Sequence, residues 1–297
     1  VMSTLTVIAM ILNSLGQKYY ALINGELGLQ PYTVAGLDDT VTYFDEAYST
    51  EEEIRSRASE VCEALEQEGM VLLKNDDHTL PLASDARVSL FGTGSVNINC
   101  SQQGARETTD KTSYPTFKEA LEAVGVAVND RLWDFYSTGA GAGYGGYKKL
   151  DSATNLQISY INEVPWSEVE TSVSGSFSEF GDAAIMVITR DGTEGADLSA
   201  AGSDGENGNY LALSKEEKET LQQLSSLKAQ GVFQHVIVVL NSTSALQLDF
   251  LKDESISADA CLWIGNTGMS GIQAVAKVMT NQDGASPSGK LSDTYVY

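Results

Sequence analysis

The chain has 297 residues, 42% hydrophobic and 20% charged, ordinary globular proportions with room for one large or two modest domains. Its 41 acidic residues against 18 Lys and Arg give a net charge of −23, which excludes nucleic acid and other polyanions as partners, because binding them requires a basic patch that displaces counterions. Cys62, Cys100 and Cys261 have no paired spacing, so neither a disulfide framework nor a metal site is indicated, and the apolar patterns around Cys62 and Cys261 predict core positions.

Val1 to Gly16 includes the uncharged apolar run Leu5–Leu12, and Lys18, Tyr19 and Tyr20 follow it as interfacial residues would. Residues 1–49 are therefore expected to comprise the truncated end of a membrane anchor or export segment and a polar connector that runs to Ser49. That reading implies a location outside the cytoplasm, with membrane anchoring as one form of it. The alternative is a buried or amphipathic helix of a cytoplasmic protein.

From residue 50 the pattern becomes regular. Thr50-Glu51-Glu52-Glu53 is a capping box, Ile54, Ala58, Val61 and Leu65 mark one apolar helix face, and Gly69 ends the helix. Met70–Lys74 then reads as a short strand, Leu80-Pro81-Leu82 as a turn, and Arg87–Phe91 as a strand closed by Gly92. A helix at Phe117–Val124, a break at Gly125 and a strand at Val126–Val128 complete a βαβ unit. Gly139–Tyr147 and the polar stretch to Phe180 read as a surface excursion. The alternation resumes with a strand at Ala183–Ile188, a helix from the capping box at Ser214-Lys215-Glu216-Glu217 to Gln230, and a strand at Val236–Leu240. A strand over 259–264 and a helix at Gly271–Met279 follow. Such alternation predicts an α/β domain over residues 50–297: a doubly wound, mostly parallel sheet with helices on both faces.

Gly92-Thr93-Gly94-Ser95 lacks the third glycine of a dinucleotide fingerprint, and no Gly-Lys-Ser/Thr occurs nearby, so it reads as a tight turn and no cofactor is called for. His78 and His235 have no nucleophile-elbow partner and read as structural or solvated. Residues 183–199 carry more information, because a buried-strand pattern runs into a Gly-flanked acidic loop. Gly192 and Gly195 would let the backbone turn while Arg190, Glu194 and Asp197 face one space. A Glu in such a loop is commonly just solvated. Glycoside cleavage, however, needs one carboxylic acid to protonate the leaving oxygen and a second carboxylate to attack or to activate water, and Glu194 is suited to the first task. No residue is identifiable for the second. Asp197 either shares the pocket or pairs with Arg190.

Four segments together resemble the α/β-sandwich domain of family 3 glycoside hydrolases, the β-glucosidase and β-xylosidase group. They are Glu68-Gly69-Met70-Val71-Leu72-Leu73-Lys74-Asn75 with Leu80-Pro81-Leu82, then Thr189 to Leu198, Val236 to Ser242, and Pro287-Ser288-Gly289-Lys290-Leu291-Ser292-Asp293-Thr294. The resemblance runs from about residue 51 to the end of the chain. It implies that Glu194 is the general acid/base of a retaining β-glycosidase, with Thr193 standing where the family often has Gly. It also implies an oligosaccharide or β-glycoside substrate, and a nucleophile on a β/α barrel absent from these 297 residues. The chain alone would then be inactive for want of the nucleophile, and with only about 50 residues ahead of the sandwich its parent resembles the domain-permuted members in which the sandwich comes first and the barrel follows. Asn99 to Arg106 replaces a Gly-rich stretch of many relatives. If this loop approaches substrate, Gln102, Gln103 and Arg106 could bind sugar hydroxyls beside Arg190 and Asp197; a remodelled surface loop is the alternative. The competing class is a non-catalytic carbohydrate-binding or scaffold domain in which Glu194 only accepts hydrogen bonds.

Overall fold

The structure is a computed structural model that describes residues 2–27, 47–100, 114–150, 152, 155, 157–190, 192, 196–197 and 208–292. It divides into two compact units, Val1–Ser49 and Thr50–Tyr297. In the first, α1 (Met2–Lys18) and α2 (Tyr20–Glu26) are helical. The expected connector thus begins with a helix. Leu5, Ile8, Ile11, Leu12 and Leu15 of α1 are exposed. Among the described residues no helix is long and apolar enough to cross a membrane, so the anchor reading of Val1–Gly16 gains no support from α1.

The second unit opens with α3 (Glu51–Gly69), whose capping box is formed: the Thr50 side chain accepts from the Glu53 N–H, and the Glu53 carboxylate accepts from the Thr50 N–H. The strands β1 (Val71–Asn75), β2 (Arg87–Phe91), β3 (Ala127–Val128), β6 (Ala183–Arg190), β8 (His235–Ser242) and β9 (Ala260–Trp263) form one sheet. Its order is β1-β9-β8-β6-β2-β3, parallel throughout except for the antiparallel edge pair β1 and β9.

The central strand β6 explains the two-sided core. Ala183, Ile185 and Val187 join one cluster with Phe117 and Leu121 of α4 (Phe117–Ala123) and Val275 and Met279 of α8 (Gly271–Thr280). Ala184, Met186 and Ile188 join the other, with Leu132 of α5 (Asp130–Ser137), Val169 of α6 (Trp166–Val173) and Leu224 of α7 (Lys215–Ala229). A strand covered on both faces needs an uninterrupted apolar run, as seen here. Each fully buried Ile or Val contributes ~1.5–3 kcal/mol relative to exposure.

Three expectations are corrected. Residues 139–180 are more than a surface excursion: they hold β4 (Tyr147–Leu150), β5 (Gln157–Tyr160) and α6, and Trp166, Val169, Val173 and Phe177 are buried against the sheet. The stripe Ile54, Ala58, Val61 and Leu65 faces outward. Instead α3 lies on α8 through its polar side, with Ser59 hydrogen-bonded to Ser270 and Glu63 paired with Lys277 at 2.6 Å. Cys62 is only half-buried, whereas Cys261 is core.

The segments that carried the resemblance meet physically. The Asn75 side chain donates to Leu80 O and accepts from Leu80 N, both at 2.9 Å, which seats Leu80 and Leu82 in the core. Gly289 lies against the start of β1. Its N–H donates to Met70 O at 2.9 Å, and a Cβ there would stand 2.3 Å from Gly69 O.

Candidate functional site

In the large sheet the chain runs from β2 outward to β3, then returns to place β6 on the other side of β2. Strand order therefore reverses between β2 and β6, and the crevice beyond their carboxyl ends is where open α/β sheets bind ligands. Gly92 turns the chain out of β2 with φ +86°, a conformation that favours glycine, and the Thr93–Ser95 turn follows. This agrees with a tight turn at that motif. A cavity of ≈ 310 Å³ opens here, lined by Thr93, Asn97, Asn99, Tyr160, Glu163, Thr189, Tyr210 and Glu217 among others. Amides, hydroxyls and carboxylates of this kind match a neutral polyhydroxylated ligand and disfavour an anion.

Glu163 is buried where the chain leaves β5. Its carboxylate accepts from Thr93 N at 2.9 Å, Thr93 Oγ1 at 3.0 Å and Val164 N at 2.9 Å. Burial pushes its pKa up to about 7, partly opposed by the Val164 and Thr93 N–H groups, while the Glu217 charge adds to the rise. Glu163 thereby ties the β5 exit to the β2 turn. Next to it, the Tyr147 and Tyr160 rings stack at 5.2 Å with 5° between planes, and the Lys149 ammonium lies 4.9 and 5.1 Å from their centroids.

Arg190, the last residue of β6, is buried and bonded through all five N–H groups. Nε donates to Tyr210 O at 2.7 Å, Nη1 to Thr189 O at 2.9 Å and Glu217 Oε1 at 2.7 Å, and Nη2 to Ala212 O at 2.8 Å and Glu217 Oε2 at 2.7 Å. Burial works against the guanidinium charge, but the Glu217 carboxylate outweighs it and holds the pKa above the ordinary Arg value. Pairing with Asp197 is one of the two readings of that residue; among the described residues the carboxylate that holds Arg190 is Glu217, and the Asp197 side chain lies outside them. No N–H is left for a sugar hydroxyl, so Arg190 is not placed as a direct substrate contact. Asp197 belongs to β7 (Ala196–Asp197), which pairs in parallel with β5 through Gln157↔Ala196 and Ile158↔Asp197. Glu194, Gln102, Gln103 and Arg106 lie outside the described residues.

The chain on either side of those residues is described. Asn241 of β8 is fully buried, accepts from Asn99 N at 2.6 Å, and donates to Asn99 O at 3.1 Å and Gly265 O at 2.6 Å. Asn99 Nδ2 in turn donates to Arg190 O at 3.3 Å. The segments carrying Gln102, Gln103 and Arg106 and carrying Glu194 thus leave the sheet at neighbouring points. Sequence reasoning identified Glu217 only as a helix cap. That role is present, with Ser214 N donating to Glu217 Oε2 at 2.7 Å, but a capping box does not announce a second, buried partner. It missed Glu163 by reading its surroundings as surface.

Comparison with known proteins adds a lineage to this geometry. The family model "Glycosyl hydrolase family 3 C-terminal domain" matches residues 70–297. Beta-glucosidase A of Butyrivibrio fibrisolvens is 29% identical over 257 residues, covering 79% of this chain and 28% of the relative. Beta-glucosidase cel3A of Pyricularia oryzae is 27% identical over 253 residues, covering 81% and 30%. The solved structure of beta-glucosidase 3B from Thermotoga neapolitana in complex with glucose aligns with TM-score 0.63 at 25% identity, covering 82% of this chain and 31% of that one. The chain spans less than a third of the length of these relatives.

Proposed function

Because the chain belongs to glycoside hydrolase family 3 and contains that family's C-terminal α/β domain, we propose that it supplies the general acid/base, Glu194, and part of the subsite wall of a retaining β-glycosidase. The substrates are β-linked gluco- or xylo-configured sugars, and the nucleophilic carboxylate comes from a β/α barrel outside these 297 residues. One observation supports this reading: the Thr189–Leu198 motif opens on Thr189 and Arg190, the last two residues of β6, at the topological switch point, where Thr189 lines a polar cavity.

In the first step the nucleophile attacks the anomeric carbon while the Glu194 carboxyl gives its proton to the glycosidic oxygen, and the aglycone leaves as an alcohol. In the second step Glu194, now a carboxylate, takes a proton from water as its oxygen displaces the nucleophile from the sugar. The two carboxyls must stand ~5–5.5 Å apart in a retaining site. The site is therefore completed only when this domain meets the barrel.

The test is Glu194→Gln in the full-length enzyme. Hydrolysis of disaccharides should fall by ~10²–10⁴-fold, the usual share of general acid/base catalysis. Activated aryl glycosides should show a burst of aryl release followed by slow turnover that azide restores as the β-glycosyl azide. An equal loss on every leaving group, without azide rescue, would instead favour a carbohydrate-binding domain in which Glu194 only accepts hydrogen bonds.

A further inference from the structure

We propose that Arg190, held by Glu217, is a positioning residue for the acid/base; this rests on the assignment of Glu194 made above. Arg190 is the fourth residue before Glu194, and its guanidinium binds the carbonyls of Tyr210 and Ala212, 20 and 22 residues further along. One side chain therefore fixes both the departure and the return of the segment that carries Glu194.

Glu217 completes the fixture from α7. It takes two N–H groups of Arg190 in a bidentate pair and at the same time caps its own helix through Ser214 N. The return point of the segment is thus locked to the first turn of a helix packed on the sheet. A second attachment lies inside the segment, where Ala196 and Asp197 pair with β5. Two peptide units separate Glu194 from Ala196, a reach of at most ~7 Å. The hairpin that supplies β5 is itself braced by Glu163 on Thr93 and by the Tyr147 and Tyr160 stack.

Stability alone does not account for this pair. Arg190 is 2% and Glu217 3% exposed, and buried ion pairs can often be replaced by apolar side chains without loss of stability, because desolvation offsets the attraction. An apolar pair would fill the space but could not bind the carbonyls of Thr189, Tyr210 and Ala212. What the charged pair adds is backbone geometry, which proton transfer to a leaving oxygen demands to a fraction of an ångström.

The experiment uses the full-length enzyme and measures kcat/KM for aryl β-glucosides across a range of leaving-group pKa, with thermal melting alongside. The variants are Arg190→Met/Glu217→Leu, which fills the site with apolar side chains, and the milder Glu217→Gln and Arg190→Lys. The expected result is a steeper dependence on leaving-group pKa: a loss of ~10–100-fold on poor leaving groups, within the reach of general acid catalysis, and little on activated ones. The double variant should melt below the parent, because the Thr189, Tyr210 and Ala212 carbonyls and the Ser214 N–H lose their side-chain partners, so its slope is measured well below its own melting temperature. A loss equal for all leaving groups, or none at all, would overturn the proposal. If the double variant does not fold, the two single variants decide by the same slope. Glu194→Gln run in parallel separates the two ideas: if its own loss ignores the leaving group, the acid/base assignment falls. If its loss follows the leaving group while the Arg190 and Glu217 variants keep the parental slope, only the positioning role falls.

Discussion

Glu66 should make the domain lose stability as pH rises from acid to mildly alkaline, and Glu66→Gln should abolish that loss. The side chain lies between α3 and α8, where a Cβ on Gly271 would stand 3.0 Å from Glu66 Cβ and Cγ. Its Oε1 is buried with no hydrogen-bond partner among the described residues. Burial pushes the pKa from 4.5 up to about 8. The folded state therefore keeps its proton across a window in which the unfolded chain has released it, so stability is fully present below ~4.5 and falls as pH rises toward ~8. The ceiling on this loss is ~5 kcal/mol from the size of the shift, and partial contact with solvent brings the expectation to ~2 kcal/mol. For a domain of this size ~2 kcal/mol is ~4–8 °C in melting temperature. Thermal melts of parent and Glu66→Gln should therefore diverge by that amount between pH 5 and pH 8.5, with the variant gaining. Curves that stay parallel over this range would show that the carboxyl ionises at an ordinary pH and that the buried setting of Glu66 is wrong.

Two further outcomes can be checked on simpler grounds. Gly289→Ala places a methyl group 2.3 Å from Gly69 O and 2.7 Å from Met70 O, backbone atoms that cannot rotate away. The overpacking should cost ~1–3 kcal/mol, read as a fall of several degrees in melting temperature, and an unchanged melt would contradict the packing of that motif. If the nucleophile sits on a separate barrel, as proposed above, the purified 297-residue chain should fold on its own core yet hydrolyse aryl β-glucosides no faster than buffer. Turnover by this chain that disappears on changing Glu194 would refute the divided site.

Much of this fold was legible because two-sided burial leaves a plain trace: Ala183–Ile188 and Val236–Leu240 contain no polar residue and both proved central. Misreadings arose where one pattern has two physical causes. Ile54, Ala58, Val61 and Leu65 form a regular apolar stripe, but periodicity does not say which side of a helix meets the core, and here hydrogen bonds and an ion pair hold the opposite side. In residues 139–180 the abundance of Ser and Gly hid a helical signal, Trp166, Val169, Val173 and Phe177, at spacings of three and four. At the site, the sequence offered Asp197, seven residues on, as a partner for Arg190. The partner it takes, Glu217, is 27 residues away and adjacent only once α7 packs beside β6.

The contact between Gly289 and Met70 has a topological consequence. The strand that begins the sandwich and the segment that ends its described part touch at one point, so a path entering at Met70 and one leaving at Gly289 share a single corner of the domain. Attachments on the two sides of the domain are therefore unlike: one continuing from Gly289 starts beside the sheet edge, whereas one arriving at Thr50 starts ~28 Å away, at the far end of the 19-residue helix α3. A change in connector length on either side would alter closure entropy by only ~0.6 kcal/mol for each doubling, so the corner restrains the core far more than it restrains what is joined to it.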